Sequence, residues 1–414
     1  MSDARHRNSV NSTRKTPHPF YFASIGVFDD QRTDLDTTDT AANGTLSFED
    51  VLEHVALRRE EFARQKFVPR DMIDEFKQIG IYRAATPRRF GGDALPPSEF
   101  LRMIERISAV DASAGWVASF GSALVYLAAL PLATQAELYK DSPDLVFAGG
   151  LFPVQPAEQV PGGLKITGQW KFASGCKGAD ILGVGIRGGD STAGKPRTAL
   201  LWPKDVEIVE NWDVVGLSGT GSHELKVDGV VVPEDWTFIR GGTPTVDEPL
   251  YRYPSIAYAA QVLAVVNLGV GRAALDYAIK VGAGRTGITG APKLADRAYY
   301  RIDLAKAEAT LRSARAFFYE VTDEAYATVV AGDPVPDKLA ALLRLSSTHV
   351  AKAGASAVHT AFQLSGTGAI YDGNAMQRYM REALVPPQHA FLGDGIYDSA
   401  GAVLMDIPPF PGFI

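Results

Sequence analysis

Between residues 146 and 238 the chain changes its period, and that change restricts the fold more than any other feature. On either side, apolar residues recur at helical spacing. Within it they alternate or form short blocks of strand length, at 163–167, 181–186, 198–201, 206–209, 223–227 and 230–232, punctuated by Pro and Gly. This reads as a β-domain of roughly 90 residues, the size of a small sandwich or barrel.

The flanks read as helices. Ser47-Phe48-Glu49-Asp50 has the form of a capping box, and Val51, Val55, Leu57, Phe62 and Phe67 follow as an apolar stripe. Residues 72–79 continue helical to Gly80. A helix starts at Pro97 or Ser98 and runs through Phe100, Ile104 and Ile107. Residues 112–130 are apolar enough to be buried nearly all round, and a short helix spans 134–138. After Pro254, long helices are expected at 256–281, 293–330, 337–364 and 382–404, which together make a bundle. The expected fold is α+β and multi-domain. It has a polar tail (1–46), an N-terminal helical domain (47–145), a central β-sandwich or barrel (146–240) and a C-terminal four-helix bundle (241–414).

A chain of 414 residues, 46% hydrophobic and 21% charged, can bury a large core. A net charge of −7 argues against nucleic acid as a partner. One cysteine, Cys176, excludes a disulfide framework and multi-cysteine metal sites. The seven histidines show no HExxH, so no protein-built metal site is expected. No apolar run approaches the roughly 20 residues of a membrane span, and the N-terminus lacks an apolar signal core. The expectation is a cytoplasmic enzyme without a membrane partner.

Residues 168–180 form a polar hinge between two apolar strands, holding Trp170, Ser174, Cys176 and three glycines. Glycines let a backbone approach a flat ligand closely, and Ser174 adds a donor and an acceptor. Two other motifs are discounted. Residues 183–188 match GxGxxG but open no helix, and 189–195 resemble a phosphate loop but are followed by Pro196.

The order of these pieces resembles the acyl-CoA dehydrogenase fold family. The signs are Gln78-Ile-Gly-Ile81, Pro87 and Phe90-Gly-Gly92; Gly168-Gln-Trp-Lys-Phe-Ala-Ser-Gly175; residues 216–222 through Val231-Val-Pro233; and Leu364-Ser-Gly-Thr-Gly368 with Arg378-Tyr-Met-Arg381. Where dehydrogenases often carry a glutamate base, this chain reads Pro386-Pro-Gln-His-Ala-Phe391. Residues 174–180 look more like the hydroxyl-bearing corner of the two-component monooxygenases of this fold, such as the p-hydroxyphenylacetate, dibenzothiophene and indole oxygenases.

The resemblance implies reduced FAD or FMN delivered by an NAD(P)H-dependent flavin reductase, O2 as co-substrate, a flavin C4a-hydroperoxide, and hydroxylation of a small aromatic or heteroaromatic molecule. It implies catalytic roles for Ser174 and His389, Ser174 bonding N5 or the peroxide and His389 holding or donating its distal proton. It implies flavin contacts from Trp170, Phe172, Ser174, Gly175, Arg285, Gly366, Thr367 and Gly368, with Arg285 reaching the flavin phosphates of a neighbouring subunit in a homotetramer. The substrate pocket is expected from Trp116, Phe120, Ser122, Tyr126 and Phe391. No histidine lies in 119–130, where several phenol hydroxylases place one, so a neutral ring such as indole suits the chain better than a phenol. The alternatives are an acyl-CoA dehydrogenase-type oxidoreductase, an N- or S-oxygenase of the same fold, and a non-catalytic binding scaffold.

Overall fold

In a computed structural model of the protein, the described residues are 46–188, 192, 194–284 and 292–413. Arg285 lies outside them.

The N-terminal helices are α1 (Phe48–Gln65), α2 (Arg70–Gln78), α3 (Pro97–Val110), α4 (Ala112–Ser119), α5 (Leu124–Leu127) and α6 (Leu132–Leu138). Ser47 caps α1 reciprocally: its hydroxyl accepts from the Asp50 amide, and the Asp50 carboxylate accepts from the Ser47 amide. Lys66, at φ 63°, ends α1 and separates it from α2. Leu57 does not belong to the buried stripe and is 75% exposed. The single helix expected at 112–130 is two short α-helices joined by a 3₁₀ turn at Phe120–Ala123. The segment is nonetheless buried. Asp111 caps α4 by accepting from the Ala114 amide at 2.8 Å.

The β-domain contains β1 (Phe147–Gln155), β2 (Ala157–Val160), β3 (Gly163–Ala173), β4 (Ile181–Ile186), β5 (Arg197–Leu201), β6 (Glu207–Val209), β7 (His223–Val232) and β8 (Thr237–Phe238). They pair in the order β6-β7-β3-β1-β4-β5-β8, with β2 on β3. β1 and β4 are parallel; the other pairs are antiparallel. Leu182, Val184 and Ile186 of β4 share one core with Ile166 and Trp170 of β3 and Leu225 and Val227 of β7. The sheet therefore folds over on itself around β1 as a sandwich. The GxGxxG match lies on β4 and serves packing. A Cβ on Gly183 would sit 2.7 Å from the Phe147 ring, and one on Gly185 would sit 2.4 Å from the Leu151 carbonyl of β1.

The C-terminal region follows with α7 (Pro249–Arg252), α8 (Ser255–Gly284), α9 (Ala298–Val330), α10 (Asp337–Ser365), α11 (Ala375–Ala383) and α12 (Gly395–Leu404). α8, α9 and α10 are the long members of the bundle, and α3 also packs on α8. The fourth helix expected at 382–404 is interrupted. Pro386 and Pro387 cannot continue α11, and the chain makes a 3₁₀ turn at Pro386–Gln388 before α12. That interruption delivers His389 to the site. α8 has the length and apolar composition of a membrane span, contrary to the sequence expectation, but its apolar window is 72% buried inside the fold. It is the central helix of the bundle, and all-round burial explains its composition.

Candidate active site

The β3–β4 corner is shaped by backbone conformation. β3 runs on to Ala173, so the strand covers the first half of the expected hinge. Phe172 (φ 65°) and Gly175 (φ 73°) then take left-handed conformations on either side of Ser174. Such a conformation is costly for a phenylalanine. It leaves the Phe172 ring 60% exposed, edge-on to Trp212 at a centroid distance of 6.4 Å. Asp180 anchors the far end of the corner. It accepts from the Val146 amide and pairs with Arg70 at 2.7 Å and Lys77 at 2.9 Å.

Ser174 belongs to a chain of hydrogen bonds with one possible direction. Trp116 Nε1 donates to Ser174 Oγ at 3.2 Å. Ser174 Oγ lies 2.6 Å from Ser222 Oγ, which lies 2.7 Å from Thr220 Oγ1. Thr220 donates to the Leu217 carbonyl at 2.8 Å. The indole N–H can only donate and the carbonyl can only accept. Each hydroxyl therefore passes its single proton forward, from Ser174 to Ser222 to Thr220. Ser174 has already committed its proton, and what remains to it is acceptor capacity. The loop that brings Thr220 and Ser222 here is tightly fitted. Leu217 sits at φ 52°, and a Cβ on Gly221 would lie 2.9 Å from the Lys66 carbonyl.

His389 stands near the same tryptophan, ring centroids 6.3 Å apart. Its Nδ1 accepts from the Phe391 amide at 3.2 Å, which places the proton of the neutral ring on Nε2. Burial, assisted by the Arg240 cation, pushes its pKa down to about 4. At neutral pH His389 is an uncharged Nε2–H donor, so delivering a proton as an imidazolium does not fit its setting.

Ser174 and His389 line one cleft of about 630 Å³, together with Trp116, Phe120, Ser122, Tyr126, Phe172 and Phe391. Phe147, Phe152, Trp212, Phe238, Leu263, Lys171 and Arg240 complete much of its wall. Among the described residues no Asp or Glu lines it. The Ser122 hydroxyl is spent on the Ser119 carbonyl at 2.7 Å. Tyr126 is held by its bond to the Ser255 carbonyl.

Other expected flavin contacts lie elsewhere. Trp170 is fully buried in the β-sandwich core, donating to the Gly185 carbonyl at 2.7 Å, so it is not a wall of the cleft. Gly175 and the turn of Gly366, Thr367 and Gly368 do not line the cleft within one chain; that turn follows the end of α10, with Gly366 and Thr367 exposed. Cys176 is buried, donates to the Gly221 carbonyl, and has its thiol pushed up to about 12 by burial, which leaves it unreactive. Among the described residues no cluster of three His, Cys, Asp or Glu could hold a metal ion. Sequence reasoning missed Thr220, Ser222, Trp212 and Arg240, because only the fold brings them to the corner. It also read Trp116 as a wall rather than a hydrogen-bond donor.

Residues 48–139 match the N-terminal domain of acyl-CoA dehydrogenases, and residues 261–393 match their C-terminal domain. Over 372 residues the chain is 55% identical to indole-3-acetate monooxygenase of Pseudomonas putida, covering 89% of this chain and 95% of that protein. The chain belongs to the acyl-CoA dehydrogenase family. Within the family it stands with the flavin-dependent monooxygenases. The oxygenase component of the FADH2-dependent resorcinol hydroxylase of a Rhizobium species is 35% identical over 233 residues, 53% of this chain and 56% of that one. The crystal structure of 3-HSA hydroxylase from Rhodococcus sp. RHA1 superposes with a TM-score of 0.83 at 23% identity, covering 89% of this chain and 98% of the other. This family member is therefore an oxidoreductase, the oxygenase of a two-component system that uses reduced flavin and O2 to hydroxylate an aromatic molecule. Its reduced flavin comes from a separate reductase.

Proposed function

We propose that this oxygenase acts on the indole ring of a small molecule, with indole-3-acetate, named for its 55%-identical relative, as the first candidate. The observation that carries the reading is the shared cleft of Ser174 and His389, aromatic-walled and without a carboxylate among the described residues. An α-proton-abstracting dehydrogenase would need that carboxylate. A phenol hydroxylase would profit from a base near Ser122, whose hydroxyl is already engaged. An electron-rich neutral ring needs neither.

The residues fit a reduced flavin. The cleft is larger than a bicyclic substrate requires, and the Phe172–Trp212 pair offers aromatic edges to a flat ring. The Ser174 Oγ retains a lone pair for a ring N–H. When bound, reduced flavin supplies the electrons that split O2, one atom entering the substrate and the other leaving as water. With the flavin in place, Ser174 would offer its acceptor to the cofactor edge and the His389 Nε2–H would be the donor available to oxygen. Trp116, Phe120, Phe238 and Phe391 exclude water, which would otherwise divert reducing equivalents to H2O2.

A homotetramer and a cytoplasmic location complete the reading. Exposed Ile279, Tyr299, Ile302, Tyr371 and Phe410 on the C-terminal region support the first, and sedimentation would measure it. The function is tested with the purified protein, a flavin reductase and NADH. Oxygenated product is expected from indole-3-acetate in near-stoichiometric ratio to O2. Turnover of resorcinol-type phenols with no product from any indole would refute the reading.

A further inference from the structure

We infer that Arg240 is the anion-binding residue of the cleft, and that the substrate is an aromatic acid whose carboxylate pairs with its guanidinium. This rests on the cleft being the substrate site. Among the described residues Arg240 and Lys171 are the only Asp, Glu, Lys or Arg of the lining, and both are cations. Arg240 is half-buried and follows β8 at the left-handed Gly241 (φ 72°). Its guanidinium carbon lies 4.5 Å from the centroid of the Tyr126 ring and 5.7 Å from that of Phe391. The first ring is itself fixed by the Ser255 carbonyl.

Cation–π contacts hold such a group while its N–H fork stays available to bind an anion. No carboxylate pairs with Arg240 among the described residues. A second cation stands on Phe391. Arg344 is 5% exposed, 5.7 Å from the Phe391 ring, and donates to the Phe413 carbonyl, while its Nε has no partner among the described residues. Half-buried positive charge without an anion costs free energy that a bound anion recovers. The planar fork of arginine matches a carboxylate bidentately. The ring of an aromatic acid so held would lie among Tyr126, Phe391 and Phe120, in the cleft that His389 and Ser174 also line.

A phosphate or the anionic ring of reduced flavin carries the same charge, so the test separates the two sources. Indole-3-acetate and its neutral isostere indole-3-acetamide are titrated calorimetrically into the flavin-free protein and into Arg240→Gln. Reduced FMN and FAD are titrated anaerobically into both. Hydrogen bonds to charged groups contribute about 1.5–3 kcal/mol, so Arg240→Gln should weaken the acid roughly 10- to 100-fold. Amide and reduced-flavin affinities should stay within about twofold. Should the Gln variant not fold, as judged by circular dichroism, Arg240→Lys serves the same comparison and should retain part of the acid preference. Equal losses for acid and amide, a loss confined to reduced flavin, or no acid binding to the unaltered protein would overturn the assignment. Arg240-dependent acid binding without oxygenation would instead refute the proposed function and leave the assignment standing.

Discussion

Ser222→Ala separates a serine that merely sits in the cleft from one whose proton is directed. In the folded chain Ser222 Oγ takes the proton of Ser174 at 2.6 Å and gives its own to Thr220 at 2.7 Å. The substitution removes both bonds. Thr220 keeps its bond to the Leu217 carbonyl and Ser174 keeps the donor from Trp116, so no group loses every partner. At about 0.5–1.5 kcal/mol per neutral hydrogen bond, the stability loss from the two bonds should be about 1–3 kcal/mol, read from the urea midpoint at unchanged m-value. The functional effect should be disproportionate. The freed Ser174 O–H no longer has an acceptor behind it and turns into the cleft as a donor, where the account needs an acceptor. A penalty of about 1.4 kcal/mol at that position is tenfold in a rate, so H2O2 formed per O2 consumed should rise by about that factor. The assay is peroxidase-coupled H2O2 against oxygen-electrode uptake, with indole-3-acetate saturating. Loss of stability with coupling equal to the unaltered protein would refute the directed chain.

Trp170→Phe should lower stability by about 2–4 kcal/mol, through the lost bond to the Gly185 carbonyl and the volume left in the β-domain core. Reduced-flavin affinity should not move; an anaerobic titration checks this, and a tenfold weakening would return Trp170 to the cleft wall. His389 has a folded pKa of about 4, below the unfolded value of about 6.5. Between those values the unfolded chain binds more protons. The contribution of His389 is therefore complete above pH 6.5 and is lost as pH falls towards 4. Comparing urea midpoints of the protein and His389→Asn at pH 4.5 and 7 should show the unaltered protein losing more, on the order of 2 kcal/mol after allowance for solvent in the cleft. Parallel changes in the two proteins would contradict the depressed pKa.

Periodicity alone exposed the helical–strand–helical order, because each long element buries a face of its own: Val51, Val55 and Phe62 of α1, every residue of β4, and residues 260–271 of α8. It failed where the chain uses short, irregular pieces. The two prolines at 386 and 387 were visible in the run read as one helix, but their effect depends on α11 ending against α8 and α10. Ser174 and His389 were legible through the resemblance of their local motifs. The partners that define their chemistry were not. Trp116 lies 58 residues from Ser174 and Ser222 lies 48 residues from it, and nothing local in either segment signals that they meet. Trp170 shows the opposite failure. It sits in the most suggestive motif of the chain, yet strand alternation turns its side chain into the sandwich while Phe172, driven to a positive φ, faces the cleft.

Ser174→Ala tests the central claim most directly, measured as oxygenated product per O2 consumed with indole-3-acetate and enzymatically supplied reduced flavin. O2 uptake should continue while product per O2 falls about tenfold and H2O2 rises to match, because the acceptor held ready by Trp116 and Ser222 is gone. Product and O2 remaining in their original ratio would contradict it.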